Sequence, residues 1–208
     1  MATKTWASAI ASTWATAASW SPSGVPAAGD DVIFNSTANG NCTVGANTNG
    51  LLSFTTTGYT GTFILNAQII VGGNITLSGN NVFSGSSTLT VSAGTTSNVT
   101  FNGEVFGAGF RINAAATVNL VDNCVISGFF QAYGLPTASA ITLKSNSPGV
   151  QRKFTLQQGG TQYVDYVNVT DIDSGDGVTL WTYKGAAPSN SVNWQIISTQ
   201  PPPVSRFV

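Results

Sequence analysis

Short runs in which apolar and polar residues alternate recur through the middle of the chain, separated by Gly, Asn and Ser. Alternation with a period of two is typical of β-strands that bury one face. The runs fall into three families, and each family recurs about every 20 residues. Such a repeat predicts a stack of similar units, each needing its neighbours to bury its apolar face.

Each family has three or four members. The first comprises residues 74–77, 98–101, 117–120 and 140–143, the second residues 82–85, 105–107 and 125–128, and the third residues 69–71, 89–91 and 110–112. Aligning the first family on its second residues predicts that Val99, Val118 and Ile141 stack on one inward ladder. Successive strands of such a stack lie about 4.8 Å apart.

Three families that recur in a fixed order predict a coil with three faces. The fold class is therefore all-β, as a single right-handed parallel β-helix with capped ends. The alternative is a β-sandwich or jelly roll, which also has short strands bounded by turns. A sandwich, however, gives no reason for three families to recur in one order.

A solenoid must cover its two ends, and aromatic residues cluster at both ends of this chain. Residues 1–31 are predicted to form an N-terminal Trp-rich cap and leading loop, and residues 32–197 the β-helix body. The spacing of Trp6, Ile10 and Trp14 also permits a short amphipathic helix. Further large aromatic residues near residues 181–194 are predicted to form the C-terminal cap; they are Trp181, Tyr183 and Trp194.

Residues 198–208 are predicted to form a Pro-rich arm, because three consecutive prolines cannot continue a sheet. We expect this arm to bind another subunit. The candidate partner-binding residues are Pro201, Pro202, Pro203, Arg206, Phe207 and Val208 in the arm, with Trp6 and Trp14 at the other end of the chain.

Two segments carry a resemblance to known proteins. TWATAASWSPSGVPAAGDDVIF resembles the W…W…G-V-P-x-x-G-D-x-V opening of secreted bacterial and phage β-helix proteins. YVDYVNVTDIDSGDGVTLW…NSVNWQI resembles the closing segment of similar phage proteins. The resemblance covers residues 10–34 and 163–197, and it implies a pectin-lyase-like β-helix from a phage virion or a bacterial surface. In this interpretation Asp30 and Asp31 cap turns.

Charged residues make up only 7% of the chain, against roughly 25% in ordinary soluble domains. The net charge is −1 and the sequence has no basic patch, so nucleic-acid binding is not predicted. No apolar run reaches the roughly 18 residues that predict a membrane span. The chain has no histidine, which excludes histidine-based triads and metal sites.

The N-terminal sequence MATKTWASAIASTWATAASW lacks the compact apolar stretch of a signal peptide. We therefore expect a protein that is made in the host cytoplasm and later lies on the virion surface.

The densest acidic segment, VDYVNVTDIDSGDG, contains Asp165 and three weak calcium candidates, Asp171, Asp173 and Asp176. The alternative, which we favour, is a tight Asp/Gly turn. No other cofactor is predicted.

Glu104 and Asp122 are the one carboxylate pair at about the spacing of one coil, but they are two positions out of register. Basic residues that lyase chemistry would require are scattered, at Arg111 and at Arg152-Lys153. We therefore predict that the protein is not an enzyme. Cys42 and Cys124 lie in matching contexts about four coils apart on one face. Because that distance is far too great for a disulfide, both are predicted to be free core residues.

These features predict a structural protein of a phage particle, specifically a capsid decoration or cement protein. The expected partners are its own subunits in a homotrimer and the major capsid protein or another virion protein. The alternative is a carbohydrate-binding or carbohydrate-degrading module of a tail or adhesin, in which Tyr133 stacks against a glycan.

Overall fold

The computed structural model describes residues 1–48, 50–79, 81–136 and 139–198. In these residues the chain forms 24 strands and one 3-10 turn, at Ala17–Ser19. No helix in this part of the chain is long and apolar enough to cross a membrane. The strands lie in four sheets on three faces; the faces are named A, B and C, and the two four-stranded sheets together make up face B, called sheet B below.

Sheet A contains nine strands: β1 Thr3–Trp6, β3 Trp20–Ser21, β4 Asp31–Asn35, β6 Ser53–Thr57, β9 Ile75–Thr76, β12 Thr96–Thr100, β15 Thr117–Leu120, β18 Ile141–Ser145 and β21 Val167–Thr170. Sheet B has two four-stranded parts: first β2 Ser12–Thr13, β5 Cys42–Val44, β7 Thr62–Leu65 and β10 Val82–Ser84, then β13 Val105–Phe106, β16 Cys124–Ile126, β19 Arg152–Leu156 and β22 Ile172–Asp173. Sheet C contains β8 Ile69–Val71, β11 Thr88–Val91, β14 Gly109–Asn113, β17 Phe129–Tyr133, β20 Thr161–Asp165, β23 Leu180–Tyr183 and β24 Trp194–Ile197.

From β7 to β23 the chain visits sheets B, C and A in that order, again and again. Strands pair in parallel with the strand one circuit later, for example β11 with β14 and β14 with β17, except at β10 and β13, where the pairing is interrupted. Among the described strands the one antiparallel pair is β1 with β3. Sandwiches and jelly rolls are built from antiparallel strands, so this pairing favours the predicted parallel arrangement and is consistent with a β-solenoid.

Asparagine side chains extend the pairing into the turns, where backbone carbonyls do not face the next circuit. Each accepts a hydrogen bond from a backbone N–H of the following circuit. The pairs are Asn39 with Thr60, Asn41 with Thr62, Asn47 with Gln68, Asn74 with Asn98, Asn123 with Lys153 and Asn168 with Ala186, all at 2.9–3.0 Å. The Asn-rich composition therefore has a structural cause, because an amide oxygen can replace a backbone acceptor.

The predicted alignment of the third family is confirmed, and that of the second family is confirmed between its last two members. Leu89 pairs with Ile69 on one side and with Phe110 on the other. Val105 pairs with Val125. The rings of Phe83 and Phe106 lie 4.4 Å apart, which continues the interior of sheet B across its two parts.

The predicted alignment of the first family is confirmed between Ile75 and Val99 and is wrong by two residues in the two later strands. Val99 pairs with Leu120, whereas Val118 pairs with Ser97 and Leu143, and Ile141 pairs with Val167. Val99, Val118 and Ile141 are nevertheless all buried. A slip of two residues keeps each side chain on the same face, since strand side chains alternate with a period of two.

The N-terminal segment forms strands of sheets A and B, and the helix permitted by the Trp spacing does not form. Trp6, Trp14 and Trp20 are buried around Phe34, while Ile10 is 76% exposed. Trp6 and Trp14 were predicted to bind a partner, whereas the structure buries both indoles inside the protein. The indole N–H groups of Trp6 and Trp20 instead donate to the carbonyls of Gly40 and Trp14.

At the other end, Trp194 is buried near Phe154, whereas Trp181 and Tyr183 point to the half-exposed outer side of sheet C. β20 and β23 pair at Asp165 and Tyr183. Near the start of β23, the side-chain amide of Gln162 supplies two further hydrogen bonds between the two segments. It donates to the Thr179 carbonyl at 2.8 Å and accepts from the Trp181 N–H at 3.1 Å.

The six predicted partner-binding residues of the arm lie outside the described residues; they are Pro201, Pro202, Pro203, Arg206, Phe207 and Val208.

The cysteine prediction is confirmed. Cys42 in β5 and Cys124 in β16 are both buried and free, and they lie on sheet B four strands apart. Burial raises the pKa of both thiols.

Val118→Asp should prevent folding, because it places an unpaired charge inside the stack at a cost of at least about 3 kcal/mol. The matched control is Val105→Asp, at a side chain that is 48% exposed, which should leave folding intact. Circular dichroism and thermal melting compare the two variants. A soluble Val118→Asp protein that melts cooperatively like the wild type would contradict the inward assignment.

Both cysteines should resist an aqueous thiol reagent in the native protein and react after unfolding without reductant, since burial excludes the reagent and disfavours the thiolate. Counting released chromophore gives the number of thiols. Cys42→Ala, as a control, should reduce the count by one. Recovery of fewer than two thiols from the unfolded wild type would contradict the free-cysteine assignment.

Candidate functional site: a polar cleft on sheet A

A cleft of about 460 Å³ lies on the outer side of sheet A. Its floor consists of four outward side chains from the neighbouring strands β12, β15, β18 and β21: Asn98, Asn119, Lys144 and Thr170. They occupy matching positions because β-pairing aligns them. The volume lies within the usual range for small-ligand sites.

Hydrogen bonds between amides order the floor. Asn119 Nδ2 donates to Asn98 Oδ1 at 3.1 Å, and the backbone N–H of Asn98 donates to Asn74 Oδ1 at 3.0 Å. The Lys144 side chain is exposed, and neither of the two ion pairs in the described residues involves it. The floor therefore presents amide groups beside one cation.

The turn after β18 forms the wall of the cleft, with Asn146 and Pro148 facing the cavity. Asp171 fixes this turn, since its Oδ2 accepts from the Gly149 N–H at 2.9 Å. Asn146 Oδ1 also accepts from Arg152 Nη2 at 3.3 Å. The wall is therefore held in place by the protein itself.

Asp171 is buried, and its backbone has a positive φ of 58°. Its Oδ1 accepts from Asn190 Nδ2 at 2.6 Å. The hydrogen bonds from Asn190 and from the Gly149 N–H hold the pKa of the Asp171 carboxyl below its usual value. The residue thus serves as an ionised acceptor that connects two turns.

The three calcium candidates do not form one site, and the expected turn role is the better description. Asp173 Oδ1 accepts from the Gly175 N–H at 2.8 Å, as in an Asx turn. Asp176 pairs with Lys153 on the surface. Within the described residues no group of three or more acidic, Cys or His side chains is placed to hold a metal ion.

Glu104 and Asp122 serve separate turns. Asp122 accepts from the backbone N–H groups of Phe101 and Asn102. Glu104 is buried and accepts from the Asn81 N–H at 3.0 Å, and burial raises its pKa to about 7. The two residues are therefore used as acceptors within the fold.

The outer side of sheet C carries a stacked cluster around the predicted glycan contact Tyr133. The Arg111 guanidinium lies 4.5 Å from the centroid of the Tyr133 ring, and the Tyr163 ring lies 5.0 Å from it. Arg111 Nε also donates to Asn113 Oδ1 at 3.0 Å. Tyr133 is thus already engaged in contacts within the protein.

All eight carboxylates of the chain accept a hydrogen bond from another residue of the protein. Asp30 accepts from the N–H groups of Ala2 and Ala27, which lowers its pKa and confirms its predicted turn-capping role. The others are Asp31 with Ser53, Glu104 with Asn81, Asp122 with Phe101 and Asn102, Asp165 with Tyr163, Asp171 with Gly149 and Asn190, Asp173 with Gly175, and Asp176 with Lys153.

Sequence reasoning missed the cleft. The sequence feature that could have revealed it is the polar residue at the outward position of each first-family strand. The two-residue slip aligned Asn98 with Thr117 and with Ala140, and so concealed the ladder of Asn98, Asn119 and Lys144.

Comparisons with known proteins found no matching family model, no similar curated protein and no similar solved structure.

Proposed function

We propose that the chain is a right-handed parallel β-helix that serves as a structural protein of a phage particle. The fixed B–C–A order of parallel strands supports the β-helix. Right-handedness follows from the general rule that connections between parallel strands of one sheet are right-handed in about 98% of cases.

The observation that carries the structural role is the use of the eight carboxylates. Catalysis by an acidic pair requires carboxyl groups that reach a substrate. Here the carboxylates hold turns and connect circuits, as Asp30, Asp122 and Asp171 show. Such use supports a rigid protein whose polar groups maintain its shape.

The phage assignment rests on the resemblance of residues 10–34 and 163–197 to β-helix proteins of phage particles. In this proposal the protein decorates or cements the capsid on the virion surface. It assembles as a homotrimer and contacts the major capsid protein or another virion protein. The arm at residues 198–208 provides the attachment, since the N-terminal Trp residues are committed to the core.

A carbohydrate-binding role is the second candidate, and the polar cleft favours it. Amide groups both donate to and accept from sugar hydroxyls. The floor amides Asn98 and Asn119 are held in place by hydrogen bonds, which lowers the entropy cost of binding. Lys144 adds a cation.

Particles purified from the source of the gene should contain the chain, and immunogold labelling should place it on their surface. A variant that lacks residues 200–208 should keep the wild-type circular dichroism spectrum but bind particles less or fail to form trimers. Light scattering measures the oligomer. Absence of the chain from intact particles would overturn the proposal. If the truncated variant forms the same oligomer as the wild type and still decorates particles fully, the arm is not the attachment element.

If the cleft binds carbohydrate, a glycan array should show reproducible binding by the wild type. Asn119→Ala should lose binding by roughly tenfold, since one good hydrogen bond contributes about 1–1.5 kcal/mol. Lys153→Ala is the control, because this exposed lysine lies outside the cleft lining. Equal binding by both variants, or no binding by the wild type, would exclude the cleft as a glycan site.

A further inference from the structure

Glu104 is the only glutamate of the chain, and it differs from the seven aspartates in its surroundings. It lies between β12 and β13 with 1% of its surface exposed. Its Oε2 accepts from the backbone N–H of Asn81 at 3.0 Å. Asn81 precedes β10 on the previous circuit, so this contact joins two successive circuits.

The side chain of Asn81 has a determined orientation. Its Nδ2 donates to the Tyr59 carbonyl at 2.8 Å and to Ser78 Oγ at 2.9 Å. Both donors of the amide are therefore used, and exchanging N and O would place Oδ1 against the Tyr59 carbonyl. Asn81 Oδ1 is buried and receives no hydrogen bond from the residues that the structure describes.

An ionised Glu104 would make this site rich in acceptors and poor in donors. A carboxylate only accepts, and Asn81 Oδ1 also only accepts. Buried acceptors without donors are unfavourable by about 1–3 kcal/mol each. The two ion pairs in the described residues do not include Glu104, so no cation compensates for the charge.

The electrostatic surroundings agree with this geometry. Burial raises the pKa of Glu104 to about 7, and the Asn81 N–H is the one influence that opposes the rise. Asp122, the acidic residue of the next circuit, is bound to the N–H groups of Phe101 and Asn102. Tyr59 contributes its backbone carbonyl to the Asn81 side chain rather than its hydroxyl, which donates to Gly40.

We propose that a proton completes this site: Glu104 is held as a neutral carboxylic acid whose O–H donates to Asn81 Oδ1, and it thereby locks two successive circuits together in a pH-dependent manner. The neutral acid then accepts at Oε2 and donates through its O–H, so every polar atom of the pair has a partner. Ionisation removes the donor and leaves Asn81 Oδ1 buried without a partner.

The direction of the pH effect follows from linkage. The folded-state pKa of about 7 lies above the usual value of 4.5, so folding takes up a proton between these two values. The stability from Glu104 is fully present below about pH 4.5 and is lost as the pH rises through about 7. The absence of histidine leaves few other groups that titrate in this range.

Denaturant unfolding between pH 5 and pH 9 tests the lock. The wild-type midpoint should fall as the pH rises through about 7. In Glu104→Gln the midpoint should be nearly constant over this range, because the amide keeps one donor and one acceptor. Asp171→Asn is the matched control, since hydrogen bonds from Asn190 and Gly149 hold the pKa of that carboxyl below its usual value and it stays ionised over this range; its midpoint should fall with pH as that of the wild type does.

A second measurement needs no variant. Labelling with glutamate that carries ¹³C at the side-chain carboxyl should give one native resonance, because the chain has a single glutamate. That resonance should titrate near neutral pH rather than near 4.5. Titration near 4.5, or an unchanged pH slope in Glu104→Gln, would overturn the proposal. The proposal would also be overturned if Ca²⁺ raised the wild-type unfolding midpoint at pH 8 to its value at pH 5, since a cation would then complete the site.

Discussion

Backbone pairing between successive circuits is the interaction on which the rest of this structure depends. It places each residue one strand spacing from the matching residue of the next circuit, so side chains at matching positions form a ladder along the stack. Where the chain turns, the pairing would stop. Asparagine side chains continue it there, as Asn39, Asn41 and Asn47 do for three backbone N–H groups of the next circuit. The low charge of the chain is compatible with this design because amides bridge circuits without repelling each other.

The sequence allowed the sheets and the buried faces to be predicted, but only part of the register. Register was correct for the third family, where Ile69, Leu89 and Phe110 align. It failed in sheet A between Val99 and Val118, because the turns that precede β15 and β18 differ in length and sequence similarity alone cannot place the slip. The period of two preserved the burial of every residue concerned. It did not preserve which residues of adjacent strands lie side by side, and a surface site consists of such adjacent residues.

The ends show the same limit. The spacing of Trp6, Ile10 and Trp14 permitted a helix, yet Trp6 reaches the core from a strand and Trp14 from the turn after β2. Aromatic packing does not require a helical period when several short segments converge on one ring, here Phe34. Composition therefore indicated which large aromatic residues of this segment pack together, and all three indoles are buried. The path of the backbone through the cap depended on pairing with β4 and β5, which are distant in sequence.

The carboxyl groups of this protein differ in how their hydrogen bonds and burial set their protonation. Asp30 and Asp171 accept two donors each, which favours the ionised form and keeps their turns insensitive to pH near neutrality. Glu104 is buried and accepts one donor, the Asn81 N–H, and burial raises its pKa to about 7. Sequence could not separate these cases, since a lone acidic residue beside Gly103 looks like another turn. The difference arises from Asn81, whose two donors are already used by Tyr59 and Ser78 on the preceding segment.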